Sequence, residues 1–331
     1  MAAIVILNYN GATYLNEFLP TVISYSKGHS IYVADNASTD TSLEVLSTFG
    51  KSIVVISLAK NVGFAEGYNQ ALSHIVEEEI ILLNSDVQVT ENWIDPCLDR
   101  LNSSPNIVAV QPKIKSFHNP SEFEYAGAAG GSIDFLGYPF CRGRIFDVCE
   151  KDENQYDDAL PIFWATGACM FIKKNAFQEI GGFDRLFFAH MEEIDLCWRW
   201  QRAGFSIYFE PKSTIYHVGG GTLSVDNPFK TYLNFRNNLA MLYKNLAIHA
   251  LVPIIFARLC LDGIAGIRLL LQGKPKLTWA IIQAHGGFYK MLPSLKRHGN
   301  YHIKLSTMYP KSILWDFFGL KKMTFNQLKW K

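Results

Sequence analysis

The chain has 331 residues, of which 49% are apolar, and its six cysteines include no CxxC pair and no metal-ligand spacing. That length allows two domains, or one with a substantial appendage, and the scattered thiols exclude a disulfide framework and fit a reduced, cytosolic protein. The formal charge of +1 conceals an acidic body and a basic tail: from Lys244 onward 14 Lys and Arg face only Asp262 and Asp316, while the residues before it hold 17 bases and 28 acids.

The start, Ala3-Ile4-Val5-Ile6-Leu7-Asn8, lacks the basic opening, long apolar stretch and small-residue cleavage site of a secretory signal. It reads instead as a strand buried on both faces. Residues 12–26 follow as a helix, 31–34 as a second buried strand ending at Asp35, 41–49 as a helix and 53–58 as a third strand. Residues 64–77 are helical, and 80–83 form a fourth strand running into Asn84-Ser85-Asp86. This alternation predicts βαβ units in a mostly parallel twisted sheet flanked by helices. Ligands of such sheets bind beyond the carboxyl ends of the strands, where Asn8-Tyr9-Asn10, Asp35-Asn36 and Asn84-Ser85-Asp86 all fall. From 116 to 161 glycines punctuate aromatic and small residues, which reads as a long irregular binding segment. Regular structure resumes over 163–172.

Beyond Asn245 the pattern is helical and amphipathic. Its longest uncharged stretch, 245–257, holds 13 residues, short of the roughly 18 apolar residues a spanning helix needs. Basic, aromatic and aliphatic residues together suit an anionic membrane surface better than nucleic acid. The expected division is therefore residues 1–245 as the chemical domain and 246–331 as a basic membrane-association region.

Five segments carry candidate chemistry, each with a plainer alternative. Asp35 to Asp40 can present a carboxylate to a base or ribose, or simply cap the next helix. Asn61-Val62-Gly63 opens a helix whose free N–H groups suit an anion, or is only a strand-to-helix turn. Asp86 leaves an apolar strand where Mg²⁺ or Mn²⁺ could bridge it to a diphosphate, or it belongs to an ordinary turn. Glu192 and Glu193 open a helix after Gly181-Gly182-Phe183-Asp184, either as a general base or as first-turn acids favoured by the helix dipole. Asp195 and Arg199 are spaced for a structural ion pair. His217 precedes Gly219-Gly220-Gly221, and its neighbourhood is compatible with a bound anion or with a purely structural histidine.

In order, Ile4 to Gly11, Asp35 to Asp40, Asn61 to Ala65, Leu83 to Asp86, Trp164 to Ala168, Gly181 to Asp184, Glu192 to Arg199 and His217 resemble the family 2 glycosyltransferases over about residues 3–245. The likeness is greatest to a rhamnosyltransferase-like branch acting on lipid-linked saccharides in bacterial surface polysaccharide assembly. The resemblance implies a GT-A fold, an inverting transfer from a UDP- or dTDP-sugar and a divalent ion, Mn²⁺ or Mg²⁺. It places Asn8, Asn10, Asp35, Asn61, Gly63, Asn84, Ser85 and Asp86 around the nucleotide sugar. Asp86 and His217 would serve the metal, and Trp164, Gly167 and Asp184 the sugar or acceptor. The base is Glu193, where the family usually has Asp, with Glu192 as its alternative. Val87-Gln88 replaces the second half of an Asp-x-Asp pair, leaving one carboxylate for the ion. The implied acceptor is polyprenyl-diphosphate-linked, and the implied location is the cytoplasmic face of the plasma membrane, bound peripherally. A nicotinamide-binding dehydrogenase would need GxGxxG where Asn8-Tyr9-Asn10-Gly11 stands. A degenerate sugar-nucleotide-binding scaffold is the non-enzymatic alternative.

Overall fold

The computed structural model describes residues 1–219, 226–298 and 305–330. The glycine run at Gly220 and Gly221 lies outside the described residues. Strand–helix alternation appears as expected: β1 (Ala3–Asn8), α1 (Ala12–Tyr25), β2 (Ser30–Asp35), α2 (Ser42–Ser47), β3 (Val54–Ser57), α3 (Gly63–Leu72) and β4 (Glu79–Asn84). Next come β5 (Val87–Val89), α4 (Asp95–Asn102) and β6 (Ile107–Ser116). The central sheet runs β3-β2-β1-β4 in parallel pairings. β1 and β4 read as unbroken apolar runs because both faces are covered, whereas the edge strand β3 is largely exposed. Ala3 and Val5 enter one core while Ile4 and Ile6 enter the other, and Ile80/Leu82 and Ile81/Leu83 split the same way.

The sheet then becomes mixed. β12 (Cys169–Lys173) lies antiparallel between β4 and β6, and β13 (Ser206–His217) runs parallel to β6. The short β11 (Leu160–Ile162) and β5 pair antiparallel with opposite ends of β13. The strand expected over 163–172 begins only at Cys169. Before it, Trp164 bridges to Gly131 through Gly131 N–H to Trp164 O (3.0 Å). Helices α5 (Lys174–Glu179) and α6 (Glu192–Arg202) separate β12 from β13.

The segment expected to be irregular, 116–161, instead carries a small sheet. β7 (Gly131–Asp134), β8 (Pro139–Cys141), β9 (Arg144–Ile145) and β10 (Val148–Cys149) are successive antiparallel neighbours. Strands of two to four residues between glycines leave too little alternation to be recognised. Their fifth partner is β14 (Met308–Tyr309) from the tail, parallel to β7.

Residues after 245 are accordingly part of the body and not a detached appendage. α7 (Pro228–Asn245) packs on α9 (Pro275–Met291), which also packs on α8 (Ile248–Leu271). Tyr309, Ile313, Phe317 and Leu328 share a core with Phe140 and Ile145. The tail also corrects the length argument against a spanning helix. α8 has 24 residues and is, among the described residues, the one helix long and apolar enough by composition to cross a membrane. Of its three charges, Arg258 and Asp262 pair with each other inside the fold (3.5 Å) and Arg268 lies in the last turn.

Candidate active site

The loops after β1, β2 and β3 meet beside the carboxyl end of β4 and are tied together by side chains. Asn8 Nδ2 donates to Asp35 Oδ1 (3.0 Å) and Ser38 Oγ (3.2 Å). Ser38 in turn donates through Oγ and N–H to the two oxygens of Asp35 (2.6 and 3.0 Å). Asn10, with φ 54°, accepts the N–H of Thr39 on Oδ1 (2.7 Å) and so links the β1 and β2 loops. Asn36 bridges onward: its Nδ2 donates to Asn61 Oδ1 and Gly63 O (both 3.1 Å), and its Oδ1 accepts from Val62 N–H (3.0 Å). Asn8, Asp35 and Asn36 are all buried, which makes this a preorganised wall. In sequence Asn36 is visible only as part of the Asp35-Asn36 strand end, and its bridging role depends on contacts 25 to 27 positions away.

The expected anion site at the start of α3 needs correction. Gly63 N–H donates to Asn61 Oδ1 (2.9 Å), and the next two, on Phe64 and Ala65, both donate to Phe188 O (2.6 and 3.1 Å). A carbonyl from 124 positions later already caps the helix. Gly63 (φ +82°) is required because any Cβ there would meet Phe188 at 2.5 Å.

Asp86 and His217 are brought together by the antiparallel pairing of β5 with the end of β13, in which Val87 faces His217. His217 Nε2 lies 3.2 Å from Asp86 Oδ1, and on the opposite side of the ring Nδ1 lies 3.5 Å from Glu124 Oε2. Burial opposes ionisation of Asp86, but the hydrogen bond and charge of His217 outweigh it and hold the carboxyl below its usual range. Burial likewise disfavours a charged His217, yet Glu124 and Asp86 lift it to about 10. Glu124 was missed, lying 93 positions before the histidine that it orients. Among the described residues no three His, Cys, Asp or Glu side chains converge on one ion position. The donor set therefore fits a divalent ion only as a pair, a hard carboxylate and an imidazole that would have to give up the proton Asp86 and Glu124 help it retain, and it leaves most positions to phosphate oxygens and water.

Glu192 and Glu193 open α6 after a contorted approach. Phe188, His190 and Met191 all have φ between 65° and 72°, each costing roughly 1–3 kcal/mol of strain. Asn237 on α7 holds this segment by donating Nδ2 to the carbonyls of Phe187, Ala189 and His190 (2.8 Å each). Arg236 Nη2 adds bonds to Leu186 O (3.2 Å) and Phe187 O (3.0 Å). Glu192 is buried, and its desolvation together with the neighbouring Glu193 charge pushes its carboxyl far up. Glu193 is half-buried; burial raises it to about 7 against the opposing backbone N–H groups of the first helical turn. Each has an Oε2 without a protein hydrogen bond. Near neutrality Glu193 can accept a proton, whereas burial and the Glu193 charge push the Glu192 carboxyl up.

Asn84 and Ser85 lie half-buried at the same edge, with Asn84 N–H donating to Ala168 O (3.0 Å). Gly167 packs on Phe64, where a Cβ would come within 2.7 Å of the ring. The acceptor roles expected of Trp164 and Asp184 meet a different arrangement. Trp164 is buried with Nε1 donating to Ser132 O (2.8 Å) and its ring over Gly131, so it joins the two sheets. Asp184 accepts Leu186 N–H (3.0 Å) and pairs with Lys244 (2.7 Å), which also binds Asp195 (2.8 Å). Arg199 completes this network at 2.8 Å from Asp195, as its spacing predicts.

The chain is similar to known proteins in sequence and in fold. The sequence profile described as "Glycosyl transferase family 2" matches residues 3–181. The N-acetylglucosaminyl-diphospho-decaprenol L-rhamnosyltransferase of Mycobacterium tuberculosis is 25% identical over 233 residues, 65% of this chain and 75% of that protein. Among solved structures, a mannosyltransferase from Pyrobaculum calidifontis in complex with GDP-Man and Mn²⁺ superposes with a TM-score of 0.52 at 13% identity, covering 88% of this chain and 75% of that one. TarS 1-349 of S. aureus in complex with UDP-GlcNAc gives 0.52 at 14%, covering 89% and 83%. Such low identities establish the fold, GT-A, and leave the donor open.

Proposed function

We propose that this chain, which belongs to glycosyl transferase family 2, moves a sugar with inversion from a UDP- or dTDP-sugar to a hydroxyl of a lipid-linked saccharide in bacterial surface polysaccharide synthesis. Support for the acceptor class comes from the rhamnosyltransferase relative, whose name specifies a diphospho-decaprenol substrate. The observation that carries the chemistry is the pairing of Asp86 with His217 at the strand ends (3.2 Å), in the same fold as an enzyme crystallised with Mn²⁺.

In this reading Asp35 and the asparagine wall receive the nucleoside, while Asp86 and His217 hold Mn²⁺ or Mg²⁺ beside the diphosphate. Bound there, the ion supplies positive charge that offsets the charge gathering on the leaving nucleoside diphosphate. Glu193 takes the proton from the acceptor hydroxyl as its oxygen bonds to the anomeric carbon. The bond from that carbon to the diphosphate oxygen breaks on the opposite face. Glu124 fixes the His217 ring from behind, a carboxylate–histidine arrangement that orients a ligand. Because the acceptor would be carried by a polyprenyl chain, the enzyme works at the cytoplasmic face of the plasma membrane as a peripheral protein.

The test is release of nucleoside diphosphate from a panel of UDP-, dTDP- and GDP-sugars with Mn²⁺ or Mg²⁺, repeated after chelation. Turnover of one donor that Glu193→Gln abolishes supports the reading. Donor binding without any turnover, unaffected by Glu193→Gln, would leave only a sugar-nucleotide-binding scaffold.

A further inference from the structure

α8 carries a stripe of exposed apolar side chains along its whole length. Ile248, Val252, Phe256, Ile264, Ile267 and Leu271 are each at least 60% exposed, and their spacing of three, four or eight keeps them on one slowly turning line. Over 24 residues that line is about 36 Å long. Scattered exposed apolar residues need no explanation, but a continuous stripe of this length does. The opposite face of α8 is pinned. Arg258 lies over the Tyr138 ring (3.8 Å) and donates to Leu136 O (2.9 Å) and Asn238 Oδ1 (2.6 Å). Asp262 accepts from His285 of α9 at 3.2 Å, and Thr278 Oγ1 donates to Gly266 O (2.9 Å). Crossing a bilayer would tear Arg258 and Asp262 from these partners and sink both charges in hydrocarbon, which is costly.

Charge indicates what covers the stripe. Across residues 246–298 the sole acid is Asp262, and it is buried. Lys276 and Lys290 are exposed on α9, and Arg268 stands over Phe318 (5.5 Å), beside the exposed Trp315. The exposed Asp226 beside the α8–α9 turn is paired with Lys274 (2.8 Å), and an apolar stripe with such basic neighbours complements an anionic lipid surface.

We infer that α8 lies in the plane of an anionic bilayer interface with the Ile248–Leu271 stripe immersed, held from behind by the Arg258–Asp262–His285 network. The inference rests on the lipid-linked acceptor reading for its purpose, although the surface is read from its own geometry. Deleting the tail would not test it, because that also removes β14 and the α9 packing. The experiment uses the full chain with vesicles of equal parts phosphatidylglycerol and phosphatidylcholine, without donor or acceptor. The parent should sediment with them, and alkaline carbonate should release it. A fluorophore on Cys260, which is exposed within the stripe, should shift to the blue. Val252→Ser/Phe256→Ser/Ile267→Ser, all at solvent-facing positions, should weaken binding at least about tenfold, with an unchanged circular dichroism spectrum. Lys276→Ala and Lys290→Ala should each cost on the order of fivefold. The idea is overturned by a triple variant that sediments like the parent, by an unshifted fluorophore, by self-association through the stripe without vesicle binding, or by protein that only detergent releases. Vesicle binding without turnover of any donor would instead sink the functional reading and leave the surface standing.

Discussion

The wall at the ends of β1 and β2 and the segment 188–193 meet at the start of α3, where Phe188 O caps the helix next to Asn61, but they treat their carboxylates differently. In the wall, Asp35 accepts from Asn8 and Ser38 on its two oxygens, and Asn36 and Asn61 bond to each other or to backbone, while positive φ falls at Asn10 (54°) and Ala37 (60°) and Asn8 Oδ1 has no protein partner. In the base segment three non-glycine residues sit at positive φ, and His190 Nε2 and the Oε2 atoms of Glu192 and Glu193 have no protein partner. Both regions hold left-handed residues, so the difference lies in the carboxylates. Asp35 accepts on both oxygens, which suits recognition of a fixed group, whereas Glu192 and Glu193 each keep an oxygen without a partner, which suits a group that must exchange a proton. In this molecule a satisfied carboxylate belongs to binding and an unsatisfied one to chemistry.

Breaking the base segment should cost most. Glu193→Gln keeps the shape and removes the proton acceptor, so kcat should fall by roughly 10²–10⁴ while the donor Kd barely moves. Single-turnover rates beside donor titration would check this, and an unchanged rate would shift the base role elsewhere. Asp86→Asn should lower kcat by about 10²–10³ and raise the concentration of Mn²⁺ needed for half activity. Asn237→Ala frees three carbonyls that restrain the base segment. A stability loss of about 1–3 kcal/mol is expected, with a fall in kcat exceeding any rise in donor KM. Asp35→Asn addresses the wall and should show the reverse split, with donor KM rising roughly tenfold and kcat nearly intact. The smallest effect concerns pH. Since burial raises Glu193 to about 7, activity should climb as pH rises through 7, where the carboxyl ionises. The same shift makes its contribution to stability largest below about 4.5, and that contribution is lost as pH rises through about 7. An activity profile flat from pH 6 to 8 would contradict the assignment.

Much of the wall could be read from the chain because β1, β2 and β4 are buried on both faces and announce their ends with polar residues. Asp86 and His217 were legible as candidates, but their contact depends on β5 pairing with β13 across 131 positions. Long-range capping was invisible: the N-terminus of α3 looks open in sequence and is closed by Phe188 O. Resemblance assigns Trp164 and Asp184 to the sugar or acceptor, since nothing local reveals Gly131 beneath the indole or Lys244 beside the carboxylate. In α8 the charges at 258 and 262 read as interruptions, since i,i+4 spacing alone does not say whether a pair faces water or protein.

The parallel contact of β14 with β7 bears on the order in which the molecule can be completed. Ser132 Oγ bonds Thr307 O across 175 positions, and Met308 and Tyr309 pair with Ile133 and Asp134. On a ribosome, every strand of the main sheet is available once His217 has emerged. The outer edge of β7 stays without a partner until nearly the whole chain exists, an interval in which an open edge invites pairing with other chains. The C-terminal segment therefore acts as a closing stitch, and shortening it would expose that edge permanently.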